Sequence, residues 1–156
     1  MLQRIQSLYL LMVFVFALLF LSLPLGYVTL EGASYVVRAT GTDLPERYQE
    51  MVSMGFWRPT VIILFFGILI LTVYTTFQYK HRLLQVRLGR LNMLIHMGLI
   101  ISTFFLIDSV KTSVGAVESS YGAGIFFPVA SLMFIFLANR AIMKDEKRIR
   151  AADRIR

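Results

Sequence analysis

The sequence predicts an all-α membrane protein: an antiparallel four-transmembrane-helix bundle with a small extracytoplasmic β-hairpin and short-helix cap between helices 1 and 2, and a basic cytoplasmic C-terminal helix. Three observations carry that prediction. Of 156 residues, 57% are hydrophobic and only 16% charged, and the mean hydropathy of +0.69 is that of a chain dissolved in a bilayer rather than in water. Apolar residues are gathered into four long runs. Lys and Arg, finally, fall mostly at the termini and on alternate connections between those runs.

Residues 5–23 hold no charge, and at ~1.5 Å per residue they match a hydrocarbon core about 30 Å thick. A secretory signal peptide is the competing reading, since Arg4 precedes the run and Pro24 follows it. The length of the run and the lack of a small-residue cleavage signal favour a retained first span. Residues 60–79 form the second charge-free run, entered through Arg58-Pro59, where a proline in the first helical turn removes an N–H that had no partner anyway. The third, 91–107, is the most polar, with Asn92, His96, Ser102 and Thr103 inside it. The fourth, 122–143, has Pro128 in its first turns and one charge, Arg140, near its end. Lipid offers no hydrogen bonds to a bare backbone, so each run is expected to be an α-helix.

Residues 24–59 make too long a connection to be idle. Residues 27–40 are rich in Val, Thr and Tyr around Glu31-Gly32, which reads as a hairpin. Asp43 then reads as the N-cap of a short helix, with Glu46 three residues on and Leu44, Tyr48, Met51 and Val52 along one face, ending at Gly55. Phe56-Trp57 reads as an aromatic interface anchor. This outer unit is either a shield for the helix ends or a surface for a partner. The second outer connection, 108–121, reads as a flexible connector, and 80–90 as a cytoplasmic loop whose residues could also continue either flanking helix, with a bend at Gly89. In the tail, 144–156, Asp145 precedes Arg148, Glu146 precedes Arg150 and Asp153 precedes Arg156 at helical spacing, a helix signature.

The formal charge of +7 suggests nucleic acid only until it is sorted by side. Twelve of the sixteen bases lie at the N-terminus, the 80–90 connection and the tail; Arg38, Arg47, Arg58 and Lys111 lie opposite, among six acids. The positive-inside bias therefore puts both termini in the cytoplasm. The excess reads as topology and as contact with anionic lipid headgroups.

Catalytic parts are scarce. With no cysteine and two histidines, His81 and His96, no metal set, thiol nucleophile or cofactor site is expected. Asp108 and His96 are about 18 Å apart along one helix, too far to share a proton, and Asp108 is spaced to pair with Lys111. Asn92, His96 and Thr103 share a face of the third span. An ionisable group there is a functional candidate by default, while interhelical hydrogen bonding is the plainer role of such residues.

Three stretches resemble a known family: Met1-Leu2-Gln3-Arg4-Ile5-Gln6-Ser7-Leu8-Tyr9-Leu10; Tyr79-Lys80-His81-Arg82-Leu83-Leu84-Gln85-Val86-Arg87-Leu88 with Arg90-Leu91-Asn92; and Leu137-Ala138-Asn139-Arg140-Ala141-Ile142 with Lys144-Asp145-Glu146 and Asp153-Arg154. The family is the uncharacterised four-helix membrane family of Bacteroidota catalogued as domain of unknown function 4293. The resemblance implies a bacterial inner-membrane protein and supplies no activity. All three stretches fall on the basic side, so Gln3, Arg4, Gln6, Arg82, Gln85, Arg87, Arg90, Asn92, Asn139 and Arg140 are expected to converge as one polar surface. The span order with a long first outer loop is also similar to claudins, but their first-loop cysteine pair is absent and nothing functional carries over. The sequence thus points to a non-enzymatic accessory or scaffold subunit bound to other membrane proteins; the alternative is a small lipid or solute carrier using the polar stripe. Nucleic acid is not an expected partner.

Overall fold

The structure, a computed structural model, describes residues 3–53, 55–79 and 81–153, with side chains for 5–52, 55–79 and 81–147. Four long helices run up and down in turn: α1 (Gln3–Ser22), α3 (Trp57–Phe77), α4 (Arg82–Val114) and α5 (Phe126–Asp153), with the short α2 (Glu46–Ser53) lying between α1 and α3 in the chain. All four long helices are long and apolar enough to cross a membrane. They pack as a ring in which α1 meets α5, α5 meets α4, α4 meets α3, and α3 returns to α1 by the thinnest seam. Every neighbour is antiparallel.

At one end sits a three-stranded antiparallel sheet of order β2-β1-β3, from β1 (Gly26–Leu30), β2 (Ala33–Val37) and β3 (Glu118–Tyr121). The expected hairpin is present: Leu30 pairs with Ala33 across Glu31-Gly32. Both turn residues have positive φ, 54° and 83°, as a two-residue type I′ connection demands. Gly26, Val28 and Leu30 of β1 are buried in alternation, so one strand face covers the helix ends. Phe20, Phe65, Ile68, Leu99, Leu106 and Ile107 of the bundle continue without a break into Leu25, Val28, Val37, Leu44 and Val52 beneath the sheet. The cap and the bundle share one apolar core.

Several expectations are corrected. Within the 80–90 connection, residues 82–90 are helical. The helix α4 runs unbroken for 33 residues, about 50 Å, because loss of hydrophobicity does not end a helix whose residues keep good helical propensity. Gly89 lies within it at a close contact: a Cβ there would collide with the Asn139 side chain of α5. The basic tail is helical as expected, through Asp153, and is continuous with the fourth span as the single helix α5. The 108–121 segment is no flexible connector, since α4 extends to Val114 and β3 then pairs with β1. Asp43 does not cap α2, which begins at Glu46; its carboxylate accepts from Arg38 at 3.5 Å instead. Leu44 and Val52 are buried as expected, but Met51 is 58% exposed. Asp108 makes no ion pair with Lys111 among the described residues. The tail pairings of Asp145, Glu146 and Asp153 involve side chains outside the described residues.

Candidate functional site

On α4, Gln85, Asn92, His96 and Thr103 recur at helical spacing and are all buried, with His96 and Thr103 each 1% exposed. The ladder faces inward because α3 and α5 flank α4 on both sides. Gln85 Nε2 donates to the Thr75 carbonyl at 3.0 Å, where α3 is ending and that carbonyl lacks a full set of helical donors. Asn92 Nδ2 donates to Thr72 Oγ1 at 2.8 Å. His96 Nδ1 lies 2.9 Å from the Asn92 carbonyl; a carbonyl only accepts, so Nδ1 bears the proton. Thr103 Oγ1 donates to the Leu99 carbonyl at 2.7 Å. Gln85 Oε1 and Asn92 Oδ1 are buried without a donor.

At the end of the bundle opposite the sheet, Gln6 Nε2 donates to Asp145 Oδ2 at 2.6 Å, joining α1 to α5 across 139 residues of chain. Both residues are 7% exposed. Asn139 Nδ2 lies 4.0 Å from Met93 Sδ. Arg82 lines a cleft of about 520 Å³ with His81, Leu83, Leu84 and Glu146, and its Nη1 is sealed without an acceptor.

The ten residues expected to form one polar surface are therefore divided. Gln6, Gln85 and Asn92 are buried in the helix contacts, Asn139 and Arg82 are half-buried, and Arg87, Arg90 and Arg140 are exposed. Gln3 and Arg4 lie outside the described side chains. The division follows from helix geometry: Asn92 is two residues from Arg90, about 200° around the helix, so one faces in when the other faces out. The Asn92, His96 and Thr103 stripe is brought together on one face and closed by packing. Among the described residues no cluster of three His, Asp or Glu is arranged to hold a metal ion.

Thr72, Thr75 and Asp145 were missed. The threonines stood out only as hydroxyls in an otherwise apolar run, and Asp145 was drawn to a basic neighbour in the tail. Nothing in sequence separation pairs it with Gln6.

Four antiparallel apolar spans around a buried polar ladder, capped by a small sheet, place the chain in the class of multi-pass helical membrane proteins. Within that class it belongs to the family described as domain of unknown function (DUF4293), which it matches over residues 2–155. No curated protein and no solved structure matches the chain.

Proposed function

We propose that this protein is a non-enzymatic accessory or scaffold subunit of a larger complex in the bacterial inner membrane, with both termini in the cytoplasm. The observation that supports it is the closure of the polar ladder. His96 and Thr103 are 1% exposed, and the hydrogen bonds of Gln85 and Asn92 run to the neighbouring helix α3. A solute carrier needs polar groups lining a wet path; here Gln85 and Asn92 join α4 to α3, as packing groups do, while His96 and Thr103 bond within α4 itself. The orientation rests on the twelve-to-four division of Lys and Arg. Arg87, Arg90 and Arg140, exposed at the end opposite the sheet, are the groups offered to a subunit or to anionic lipid headgroups.

Purification of the native protein in mild detergent, with mass spectrometry of what accompanies it, tests the reading. A stoichiometric protein is expected. The absence of any stoichiometric protein would overturn the scaffold, and a specific lipid still retained by Arg58→Gln would favour a carrier. Replacing Arg87, Arg90 and Arg140 together by Gln is expected to release the partner while changing stability by less than about 0.5 kcal/mol per site. An unchanged complex would remove these arginines from the interface.

A further inference from the structure

Three arginines of the sheet end lie outside or at the start of the spans, and they are not treated alike. Arg38 reaches Asp43 at 3.5 Å, and Arg47 holds both oxygens of Glu31 at 3.0 Å. Arg58, in the first turn of α3, makes no ion pair among the described residues. It is also half-buried, and its Nε and Nη2 are sealed from solvent with no acceptor. A charged donor left without an acceptor is costly where water cannot replace it. The fold keeps one here.

The two orphaned nitrogens are not an arbitrary pair. Nε–H and the neighbouring Nη2–H form the side-on edge with which a guanidinium takes two oxygens of one oxyanion. Arg58 lines a cleft of about 400 Å³ together with Thr40, Gly41, Thr42, Gln49 and Glu50. The Gln49 amide is committed to the Leu44 carbonyl at 2.8 Å, whereas Thr40 and Thr42 bring hydroxyls that can donate. The start of α3 has no side-chain cap, so the positive end of a 21-residue helix adds to the field at the cleft. Glu50, which has a contact of its own, is the acidic group of the wall and works against a highly charged ligand.

We propose that Arg58, with Thr40 and Thr42, forms a binding site for a phosphate oxyanion at the sheet end. Because Arg58 stands in the first turn of a candidate span, next to the exposed Phe56, the phosphate is that of a phospholipid headgroup or free phosphate reaching the same depth. The site requires the guanidinium to turn about its terminal torsions, so that this edge, sealed from solvent in the structure, faces the cleft. The proposal is independent of the scaffold reading, since it concerns the opposite end of the bundle from Arg87, Arg90 and Arg140.

The test uses the full chain in maltoside micelles with two measurements: native mass spectrometry for retained phospholipid, and the shift of the thermal unfolding midpoint when inorganic phosphate replaces chloride at equal ionic strength. A phospholipid adduct assigns the site to a headgroup; a phosphate-dependent shift without an adduct assigns it to free phosphate. In either case Arg58→Gln is expected to weaken binding about tenfold or more, the scale of one charged hydrogen-bonded contact. Arg58→Lys, which keeps charge but loses the side-on edge, should fall between, and Glu50→Gln should bind as tightly or more tightly. The exposed Arg47→Gln is the control and should leave binding unchanged. Neither adduct nor shift in the wild-type chain, or a signal that Arg58→Gln leaves intact, overturns the proposal. If Arg58→Gln does not fold, equal binding by Arg58→Lys and the wild type overturns it instead.

Discussion

At the sheet end Leu25, Val28 and Val37 are completely buried and three strands join by backbone pairing; at the opposite end the helices meet through side-chain amides, a carboxylate and threonine oxygens. The first end is closed by area and close backbone approach. The second is closed by a few directed bonds between residues far apart in the chain. Apolar burial contributes roughly 25 cal/mol per Å² regardless of direction, whereas a hydrogen bond inside a membrane bundle averages only about 0.6 kcal/mol. The sheet end should therefore dominate stability, and the opposite end should mainly set how the helices register.

The strongest test of that contrast is Gly122→Ala. Gly122 donates its N–H to the Leu25 carbonyl at 2.8 Å, and a Cβ there would press on the backbone of Pro24 and Leu25. Backbone cannot rotate away as a side chain can, so a loss of about 3 kcal/mol is expected. Gly67→Ala, in the middle of α3 with open space at its Cβ, should be neutral or slightly stabilising because Ala favours the helix. Denaturant unfolding of both variants in the same detergent decides it. Equal stability would mean that the sheet end yields more easily than its packing indicates.

The same contrast explains what was legible in the sequence. The four spans and the hairpin were readable because the cause is local: runs of apolar residues, and a Glu31-Gly32 turn between alternating residues. The strand β3 was not readable. Its residues Glu118, Ser119, Ser120 and Tyr121 are all exposed, so they carry no burial pattern, and β1 alone supplies their partner. The ends of α4 lie beyond the apolar run 91–107 because charge marks where hydrocarbon stops, and a helix need not stop there. The Asn92, His96 and Thr103 stripe was readable as one face by spacing alone. Its partner Thr72 on another helix, and the joining of Gln6 to Asp145, depend on packing that no local pattern encodes.

A moderate effect is expected from Gln6→Leu. It leaves the Asp145 carboxylate, 7% exposed, without its 2.6 Å donor, at a cost of about 2 kcal/mol. Because most of that cost is the stranded acceptor, adding Asp145→Leu should recover a good part of it. A double variant as unstable as the two single losses combined would show that Asp145 is held by something other than Gln6, and would weaken the view that directed pairs close this end.

The smallest effect should come from the pair that sits deepest. Asn92 donates to Thr72 at 2.8 Å, yet its own Oδ1 has no donor, so Asn92→Leu removes one bond and also one unsatisfied acceptor. The two consequences oppose each other, and the single variant should lose less than about 1 kcal/mol. A cycle with Thr72→Val isolates the bond itself, and its coupling energy is expected near 0.6 kcal/mol and below about 1.7 kcal/mol. Coupling above that range would make the ladder a principal source of stability and erase the contrast between the two ends. Coupling within it leaves the ladder a different task. Leucine in place of Asn92 still buries area against α3, but area alone does not distinguish one helical rotation from the next, and the Asn92 to Thr72 bond does.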